Sequence, residues 1–339
     1  MKNKFNANLW LEELKASKRK KSMPLLSFPS VSKMNCSVKD LVTSSDLQAE
    51  GMKTVADNTP SLASVSFMDL SVEAEAFGAR VEFPENDVPT VIGSLVKDQC
   101  EADSLAIPRV GEKRTGVYVD AVKKAKTLIT DRPVFAGIIG CFSLAGRLLD
   151  VTEALIYCYT EPEILHSVLK KCTEFLIEYA KAYKQAGADG IIIAEPLTGL
   201  LSPDLAKEFS EPYIKELVSA VKDGSFAVIY HNCGNSTVQI MESILQTDCS
   251  AYHFGNAVDM LDVLKAVPGE VVVMGNIDPV SQFKNGTAES IKAQVKALLE
   301  KCKDYPNFVI SSGCDIPHDA KWENINAYYR AIDKYYNEI

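Results

Sequence analysis

Residues 190–195 read GIIIAE, a run of β-branched residues that follows a glycine and ends in a carboxylate. A short, uniformly apolar run of this composition predicts a strand that is buried on both faces. Similar runs recur along the chain, and the segments between them carry apolar residues at helical spacing. The predicted strands lie at residues 25–28, 63–67, 134–139, 190–194, 227–230, 251–254, 271–274 and 308–311, and clear amphipathic helices at 162–185, 203–222 and 288–303.

This alternation of buried strands and helices predicts an α/β fold with a parallel sheet covered by helices. About eight such units in 339 residues fit a single (β/α)₈ TIM barrel. An open doubly wound sheet is less consistent with the sequence, because the phosphate-binding pattern G-x-G-x-x-G is absent. We therefore expect a barrel domain over residues 23–339 after a basic helical extension, residues 1–22. The lysine-rich end of that extension is either a solvated helix end or a docking patch for an acidic partner.

Composition narrows the classes of partner. Lys and Arg total 36 against 45 Asp and Glu, a formal charge of −9, so the chain lacks the positive field expected of a nucleic-acid-binding protein. No apolar run reaches the ~18 residues of a membrane helix, and no secretory signal is recognisable. These features predict a cytoplasmic protein without a membrane partner, whose nine cysteines are free thiols.

The candidate chemistry lies where the predicted strands end, because barrel enzymes place their active sites at the carboxyl ends of the strands. Residues 230–234 read YHNCG, and side chains two apart on extended backbone point to the same side. His231 and Cys233 could therefore bind one metal ion, with Cys314, after the last strand, as a third ligand. Three such ligands with one open position are typical of catalytic zinc. The alternative is a core cysteine beside a hydrogen-bonded histidine.

Other polar residues end strands as well. Glu195 and Asp69 are predicted catalytic carboxylates that could bind metal, orient a ligand or accept a proton, although Glu195 could instead be a charge at a helix N-terminus. Four further residues are candidates for the substrate pocket: Ser27, Cys141, Asn276 and Asp278. Cys141 could equally be a core residue, and Asp278 could cap the following turn.

Four segments, residues 67–78, 140–146, 188–196 and 275–279, together carry a family resemblance. The chain resembles the uroporphyrinogen decarboxylase superfamily and, within it, the methylcobalamin:coenzyme M methyltransferase branch. The decarboxylases have an arginine-rich N-terminal motif and a C-terminal Gly-His motif. Here residues 24–30 read PLLSFPS, without arginine, and Gly313 is followed by Cys314.

The resemblance implies that His231, Cys233 and Cys314 bind Zn²⁺ and that the protein transfers a methyl group to or from a corrinoid. The partner is then a methylated or reduced corrinoid protein, because the chain has no corrinoid-binding motif D-x-H-x-x-G of its own. The small molecule is either a thiol acceptor such as coenzyme M or a methyl donor such as a methyl ether. The alternatives are a uroporphyrinogen-type decarboxylase and a non-catalytic docking module with a structural zinc.

Overall fold

The computed structural model describes residues 5–338, and a curled sheet of parallel strands forms its centre. The strands are β1 (Ser64–Val65), β2 (Arg80–Glu82), β3 (Thr90–Ile92), β4 (Val134–Ile139), β5 (Gly190–Ala194), β6 (Ala227–Asn232), β7 (Ala251–Phe254), β8 (Val272–Ile277) and β9 (Phe308–Ser312). Seven of them pair in the order β1-β4-β5-β6-β7-β8-β9, and β2 and β3 form a separate antiparallel hairpin. The predicted α/β, TIM-barrel-type fold is confirmed.

The segment before β1 occupies the place of an eighth strand. The Met23 N–H donates to the Ile310 carbonyl at 3.3 Å, and the Leu62 N–H donates to the Ser22 carbonyl at 2.8 Å. The strand predicted at residues 25–28 is wrong, because the segment makes isolated bonds in place of a ladder. Proline supplies a reason: Pro24 has no N–H to donate.

Sixteen α-helices surround the sheet within residues 5–338. They are α1 (Ala7–Ala16), α2 (Ser30–Met34), α3 (Val38–Thr43), α4 (Ser45–Asn58), α5 (Val72–Phe77), α6 (Gln99–Ser104), α7 (Thr115–Leu128), α8 (Cys141–Leu149), α9 (Val151–Thr160), α10 (Pro162–Gln185), α11 (Pro203–Phe209), α12 (Glu211–Val221), α13 (Met241–Gln246), α14 (Met260–Ala266), α15 (Ala288–Cys302) and α16 (Trp322–Glu338). A 3₁₀ helix spans Pro196–Leu200 and a π-helix Pro279–Lys284.

The helix at 162–185 has the predicted bounds, and that at 288–303 ends one residue earlier, at Cys302. The single helix predicted at 203–222 is wrong, because α11 ends at Phe209 and α12 starts a new first turn that contains Pro212. None of the helices described is both long and apolar enough to span a membrane.

Two hydrophobic layers hold the fold together. Side chains that alternate along the strands, among them Ile192, Ile229 and Met274, fill the interior of the curled sheet. The opposite faces of the same strands pack against the helices in a second, larger cluster. This division into two layers is the arrangement of a filled barrel, so the interior is a packed core and chemistry is confined to the ends.

Helix α1 covers the amino-terminal end of the sheet. Trp10 packs on Phe135 of β4 at 5.4 Å between ring centroids, within the interior cluster. The Ala7 N–H donates to the Gly224 carbonyl at 3.0 Å, just before β6. Because α1 is part of the interior core, the end that remains for a binding site is the carboxyl end of the strands, referred to below as the mouth.

Candidate metal centre and the mouth of the barrel

Three potential metal ligands meet at the mouth. The ligand atoms of His231, Cys233 and Cys314 all lie within 4.8 Å of one another, and the Cys314 Sγ is 3.6 Å from the His231 Nε2. His231 is buried, and both cysteines are half-buried. In the part of the chain that the structure describes, no fourth histidine, cysteine, aspartate or glutamate joins this group. The predicted convergence of residues 83 positions apart in sequence therefore occurs.

The register of the sheet orients the imidazole of His231. His231 on β6 pairs with His253 on β7, so both side chains lie on the same face. Their Nδ1 atoms are 2.8 Å apart, the His253 Nε2 is 2.7 Å from the Ser311 Oγ, and Ser311 donates to the Met23 carbonyl at 2.7 Å.

This chain of contacts determines which nitrogen of His231 is free. Burial, with the nearby His231, lowers the pKa of His253 well below its ordinary value, so His253 is neutral with one N–H. Since Ser311 uses its proton on Met23, the Nε2–H of His253 donates to Ser311 and its Nδ1 accepts from His231. With its Nδ1–H given to His253, the neutral form of His231 presents the lone pair of its Nε2 to the two thiols.

The two thiols share a proton in the metal-free protein. A hydrogen bond from Cys314, together with the nearby His231, lowers the pKa of Cys233 to about 4. The same hydrogen bond and burial raise the pKa of Cys314 well above its ordinary value. At neutral pH the group therefore holds a thiolate on Cys233, the form of cysteine that binds metals.

Asn232 and a glycine fix the loop that carries Cys233. The Asn232 amide donates to the Glu195 carbonyl at 2.8 Å, and its oxygen accepts the Gly234 N–H at 2.9 Å. A Cβ on Gly234 would lie 2.5 Å from the Cα of Gly199, so only glycine fits this close approach of two loops. These contacts fix the backbone of the loop that carries Cys233.

The carboxylate of Glu195 bonds to the N-terminus of the neighbouring helix α8. Its carboxylate accepts the N–H groups of Ser143 at 2.6 Å and Phe142 at 3.1 Å, at the N-terminus of α8. Burial raises the pKa of Glu195 to about 7, and the hydrogen bonds from Ser143 oppose that shift. These contacts correspond to the alternative interpretation, a charge at a helix N-terminus. A catalytic role of Glu195 stays a prediction.

Asp69 lies in a buried ionic network. Arg114, the residue before α7, donates to Asp69, to the Glu75 Oε2 at 2.6 Å and to the Ser71 Oγ at 2.8 Å. Tyr118 donates a further bond to Asp69 at 3.1 Å. Because every oxygen of Asp69 is engaged, its contacts describe an anchor for the segment after β1. Its predicted catalytic role also stays a prediction.

Glu73 was not among the sequence candidates. It is 2% exposed, and its Oε1 accepts the Ile139 N–H at 3.0 Å, which continues the hydrogen bonding of β4 beyond the two residues of β1. Its Oε2 has no hydrogen-bond partner among the described residues. Burial raises the pKa of Glu73 to about 7.

The four predicted pocket residues are engaged with the backbone or packed into the core. The Ser27 Oγ donates to the Val65 carbonyl at 2.6 Å, and Cys141 is fully buried at the start of α8. Asn276 donates to the Gly255 and Val258 carbonyls, and Asp278 caps the π-helix Pro279–Lys284. Their substrate contacts stay predictions. Asn276 and Asp278 do line a cavity of about 390 Å³ beside α14 and α15.

Sequence reasoning gave His253, Arg114 and Glu73 no part in the site. His253 could have been found from strand register, because it ends a strand next to that of His231. Glu73 and Arg114 left a weaker signal, because they are 41 positions apart in sequence and charged residues in or beside helices are usually solvated.

Comparisons with known proteins agree with this architecture. Residues 26–335 match the family model "Uroporphyrinogen decarboxylase (URO-D)". The chain is 31% identical over 257 residues to a methylcobamide:CoM methyltransferase, MtbA, of Methanosarcina mazei, which covers 73% of this chain and 72% of that protein. It is also 31% identical over 250 residues to the uroporphyrinogen decarboxylase of Chlorobium luteolum, with 70% and 69% covered.

Solved structures show the same fold. A methyltransferase from Methanosarcina mazei superimposes with a TM-score of 0.87 at 23% identity, covering 98% of this chain and 99% of that one. A B12-independent methionine synthase from Shewanella sp. W3-18-1 matches with a TM-score of 0.58 at 13% identity, covering 86% and 88%. At these identities the likeness is one of fold.

Proposed function

Because the chain belongs to the uroporphyrinogen decarboxylase (URO-D) family, we propose that it is a zinc-dependent methyltransferase acting between a corrinoid protein and a small-molecule thiol. The observation that carries this proposal is the convergence of His231, Cys233 and Cys314 at the mouth. The decarboxylases of the family are equally similar in sequence, but this metal-binding set and the lack of arginine in residues 24–30 favour methyl transfer.

The donor set fits zinc. One imidazole nitrogen and two thiolates are ligands that Zn²⁺ prefers, and three protein ligands leave one position for a substrate. When bound, zinc would favour the thiolate form of a thiol substrate at neutral pH. The thiol direction rests on relatives named methylcobamide:CoM methyltransferases, two of which are 29% and 31% identical to this chain.

The residues of the chain have separate tasks in this reaction. The His253–Ser311 contacts hold His231 with its Nε2 lone pair toward the thiols. The loop fixed by Asn232 holds Cys233 beside Cys314. In the transfer itself, the substrate thiolate forms a bond to the methyl carbon of the methylated corrinoid while the cobalt–carbon bond breaks. The electron pair stays on cobalt, and the products are a methyl thioether and reduced corrinoid.

Metal content and methyl transfer test the proposal together. The purified protein should contain about one zinc per chain, and His231→Ala or Cys314→Ser should lose it. With methylcobalamin and coenzyme M, the wild-type protein should change the cobalt absorption spectrum as methyl groups leave. Cys100→Ser is the matched control, because Cys100 is an exposed cysteine away from the metal-binding set.

Three outcomes would contradict the proposal. Wild-type protein that binds no zinc removes its basis. Consumption of uroporphyrinogen, with no reaction of methylcobalamin, would assign the decarboxylase activity instead. Methylation of reduced corrinoid by a methyl ether, without reaction of any thiol, would reverse the direction of transfer.

A further inference from the structure

The two cysteines of the metal-binding set also form a pair of accessible thiols. The Sγ atoms of Cys233 and Cys314 lie within 4.8 Å of each other at the mouth, and both side chains are half-buried. Of the other seven cysteines, five are buried, Cys36 is half-buried after α2, and Cys100 is exposed on α6. Cys233 and Cys314 therefore combine mutual proximity with access for a small molecule from the mouth.

Backbone packing holds the segments of the two cysteines side by side. Gly255, after β7, lies so close to Cys233 that a Cβ on this glycine would be 2.5 Å from the Cys233 Cα. The next residue, Asn256, packs in the same way on Gly313, where a Cβ would be 2.6 Å from the Asn256 Oδ1. The Gly313 N–H also donates to the Ile277 carbonyl at 2.6 Å. One dipeptide thus contacts both cysteine-bearing segments, so the proximity of the sulfurs is a property of the folded chain itself.

Two thiols held in this way favour an internal disulfide. In thiol–disulfide exchange, one thiol forms a mixed disulfide with an external disulfide, and a second thiol then displaces the small molecule. The second step is intramolecular here, so the neighbouring cysteine acts at a far higher effective concentration than a thiol in solution. Bound zinc would occupy both sulfurs and so compete with this reaction.

We propose that Cys233 and Cys314 form a disulfide in the zinc-free protein when a small disulfide, RS–SR, enters the mouth, and that this bond closes the metal site. One cysteine thiolate attacks a sulfur of RS–SR, forms a mixed disulfide and releases RS⁻. The other cysteine thiolate attacks the cysteine sulfur of the mixed disulfide, forms the Sγ–Sγ bond and releases the second RS⁻. The cysteine pair loses two protons and two electrons, and RS–SR is reduced to two thiols.

This reaction would regulate the proposed methyl transfer, and in that respect it rests on the proposed function. The small molecule consumed by that function is a thiol, and the disulfide of the thiol can use the same entrance. An excess of the thiol reverses both exchange steps and frees the metal ligands, whereas an excess of the disulfide keeps the pair oxidised. The site therefore responds to the ratio of its own substrate to the oxidised form of that substrate.

Thiol counting and peptide mapping test the disulfide directly. The Cys100→Ser protein is used throughout, because the exposed Cys100 would otherwise take up the probe. Its zinc-free form is incubated with bis(2-hydroxyethyl) disulfide, and the thiols are counted after denaturation. The eight thiols, nine less Cys100, should fall to six, and an unreduced digest should contain Cys233 and Cys314 in linked peptides. The zinc-loaded protein should keep all eight over the same time, and 2-mercaptoethanol should return the oxidised protein to eight.

Three variants separate protection by the metal from reactivity of the thiols. His231→Ala keeps both thiols but should lose zinc, so it should form the disulfide even with zinc present. Cys314→Ser should stop at the mixed disulfide, detected by mass as one probe adduct on Cys233. His166→Ala, the matched control on α10, should be protected by zinc as the Cys100→Ser protein is. Equal thermal midpoints of the reduced, zinc-free proteins would show that the variants are folded.

The outcomes separate the two proposals. Zinc-free protein that keeps its eight thiols, or that links other cysteines, would overturn the disulfide, and methyl transfer by the zinc-loaded protein would then leave the methyltransferase proposal standing. A Cys233–Cys314 link that forms equally fast with and without zinc would overturn closure of the metal site. If the link forms as expected but the reduced, zinc-loaded protein transfers no methyl group, the disulfide stands and the methyltransferase proposal fails.

Discussion

The two sides of the barrel mouth are built from different chemistry. The side formed by β6, β7 and β9 has two thiols and two imidazoles, joined by short contacts along neighbouring strands. The side formed by the segment after β1 has the carboxylates of Asp69, Glu73 and Glu75 with the guanidinium of Arg114, and both glutamates lie on α5. On the first side the Sγ atoms of Cys233 and Cys314 and a ring nitrogen of His231 lie within 4.8 Å of one another, whereas the second side pairs most of its charges internally.

This difference separates binding residues from supporting residues. Charges that are fully paired, such as Asp69 and Arg114, hold the loops of the mouth in place. The candidate metal ligands His231, Cys233 and Cys314 are instead the groups proposed to bind a ligand. The four variants below test the division, in order of decreasing expected effect.

Removal of Arg114 should have the largest effect. Arg114→Met leaves Asp69 and Glu75 without their cation in a buried setting, which should lower the free energy of unfolding by about 3–5 kcal/mol. Urea denaturation measures this value. The control Arg330→Ala, which removes an exposed arginine of α16, should change it by less than about 0.5 kcal/mol. An Arg114→Met variant with the same free energy of unfolding as the control would show that the ion-pair network around Asp69 does not stabilise the fold.

Glu73 should make stability depend on pH. Burial raises the pKa of its folded form to about 7, from an ordinary value of 4.5, so its contribution to stability is full below pH 4.5 and is lost as the pH rises through 7. The loss, about 3 kcal/mol at 1.36 kcal/mol per pKa unit, should be absent in Glu73→Gln.

Urea titrations at pH 5 and pH 8 compare the two proteins. Glu195, whose pKa is also raised to about 7, is present in both, so the difference between them isolates Glu73. Glu82→Gln, at an exposed glutamate of β2, is the control and should follow the wild type. Parallel pH profiles for Glu73→Gln and the wild type would show that Glu73 ionises normally.

His253 should affect metal affinity more than the fold. His253→Ala removes the acceptor of the His231 Nδ1–H, and loss of such a contact typically weakens metal binding by about 10- to 100-fold. His253→Gln should restore part of the affinity, because an amide oxygen can accept the same proton.

Competition with a chromophoric chelator measures zinc affinity, and thermal denaturation of the metal-free proteins reports any general damage. His166→Ala is the matched control, because His166 bonds to Tyr213 on the outer helices. Equal zinc affinity for His253→Ala and the control would mean that His253 only fills space.

Asp278 should give the smallest effect. It caps the π-helix through bonds to the N–H groups of Val280 and Ser281, so Asp278→Ala should cost about 1 kcal/mol of stability with unchanged thiol binding. A variant with weaker thiol binding and unaltered stability would instead support the substrate contact predicted from sequence.

The sulfur side of the mouth was more predictable from sequence than the carboxylate side. His231 and Cys233 are two apart on one strand, where extended backbone places them together, and closure of a barrel brings the end of the last strand to them. Each of these steps depends on strand geometry, which has a fixed period. The barrel-type fold was predictable for the same reason, whereas the family and its methyltransferase branch were indicated by the resemblance of residues 67–78, 140–146, 188–196 and 275–279.

On the carboxylate side, the contacts join residues whose separation in sequence follows neither helix nor strand periodicity. Arg114, which precedes α7, pairs with Asp69 across 45 residues, and no local pattern around either residue predicts the pair. The absence of a regular strand at residues 25–28 was also indicated by the sequence, because Pro24 and Pro29 flank that segment.

Helix α1 has a consequence for the order of events in the proposed reaction. By filling the amino-terminal end of the barrel with Trp10, it leaves the small molecule and the corrinoid protein to share one entrance. A protein docked on the mouth would block the passage of the thiol. If the proposed function holds, the thiol would enter first and the methyl thioether would leave last, so the kinetics would be ordered, with the corrinoid protein binding second and departing before the product.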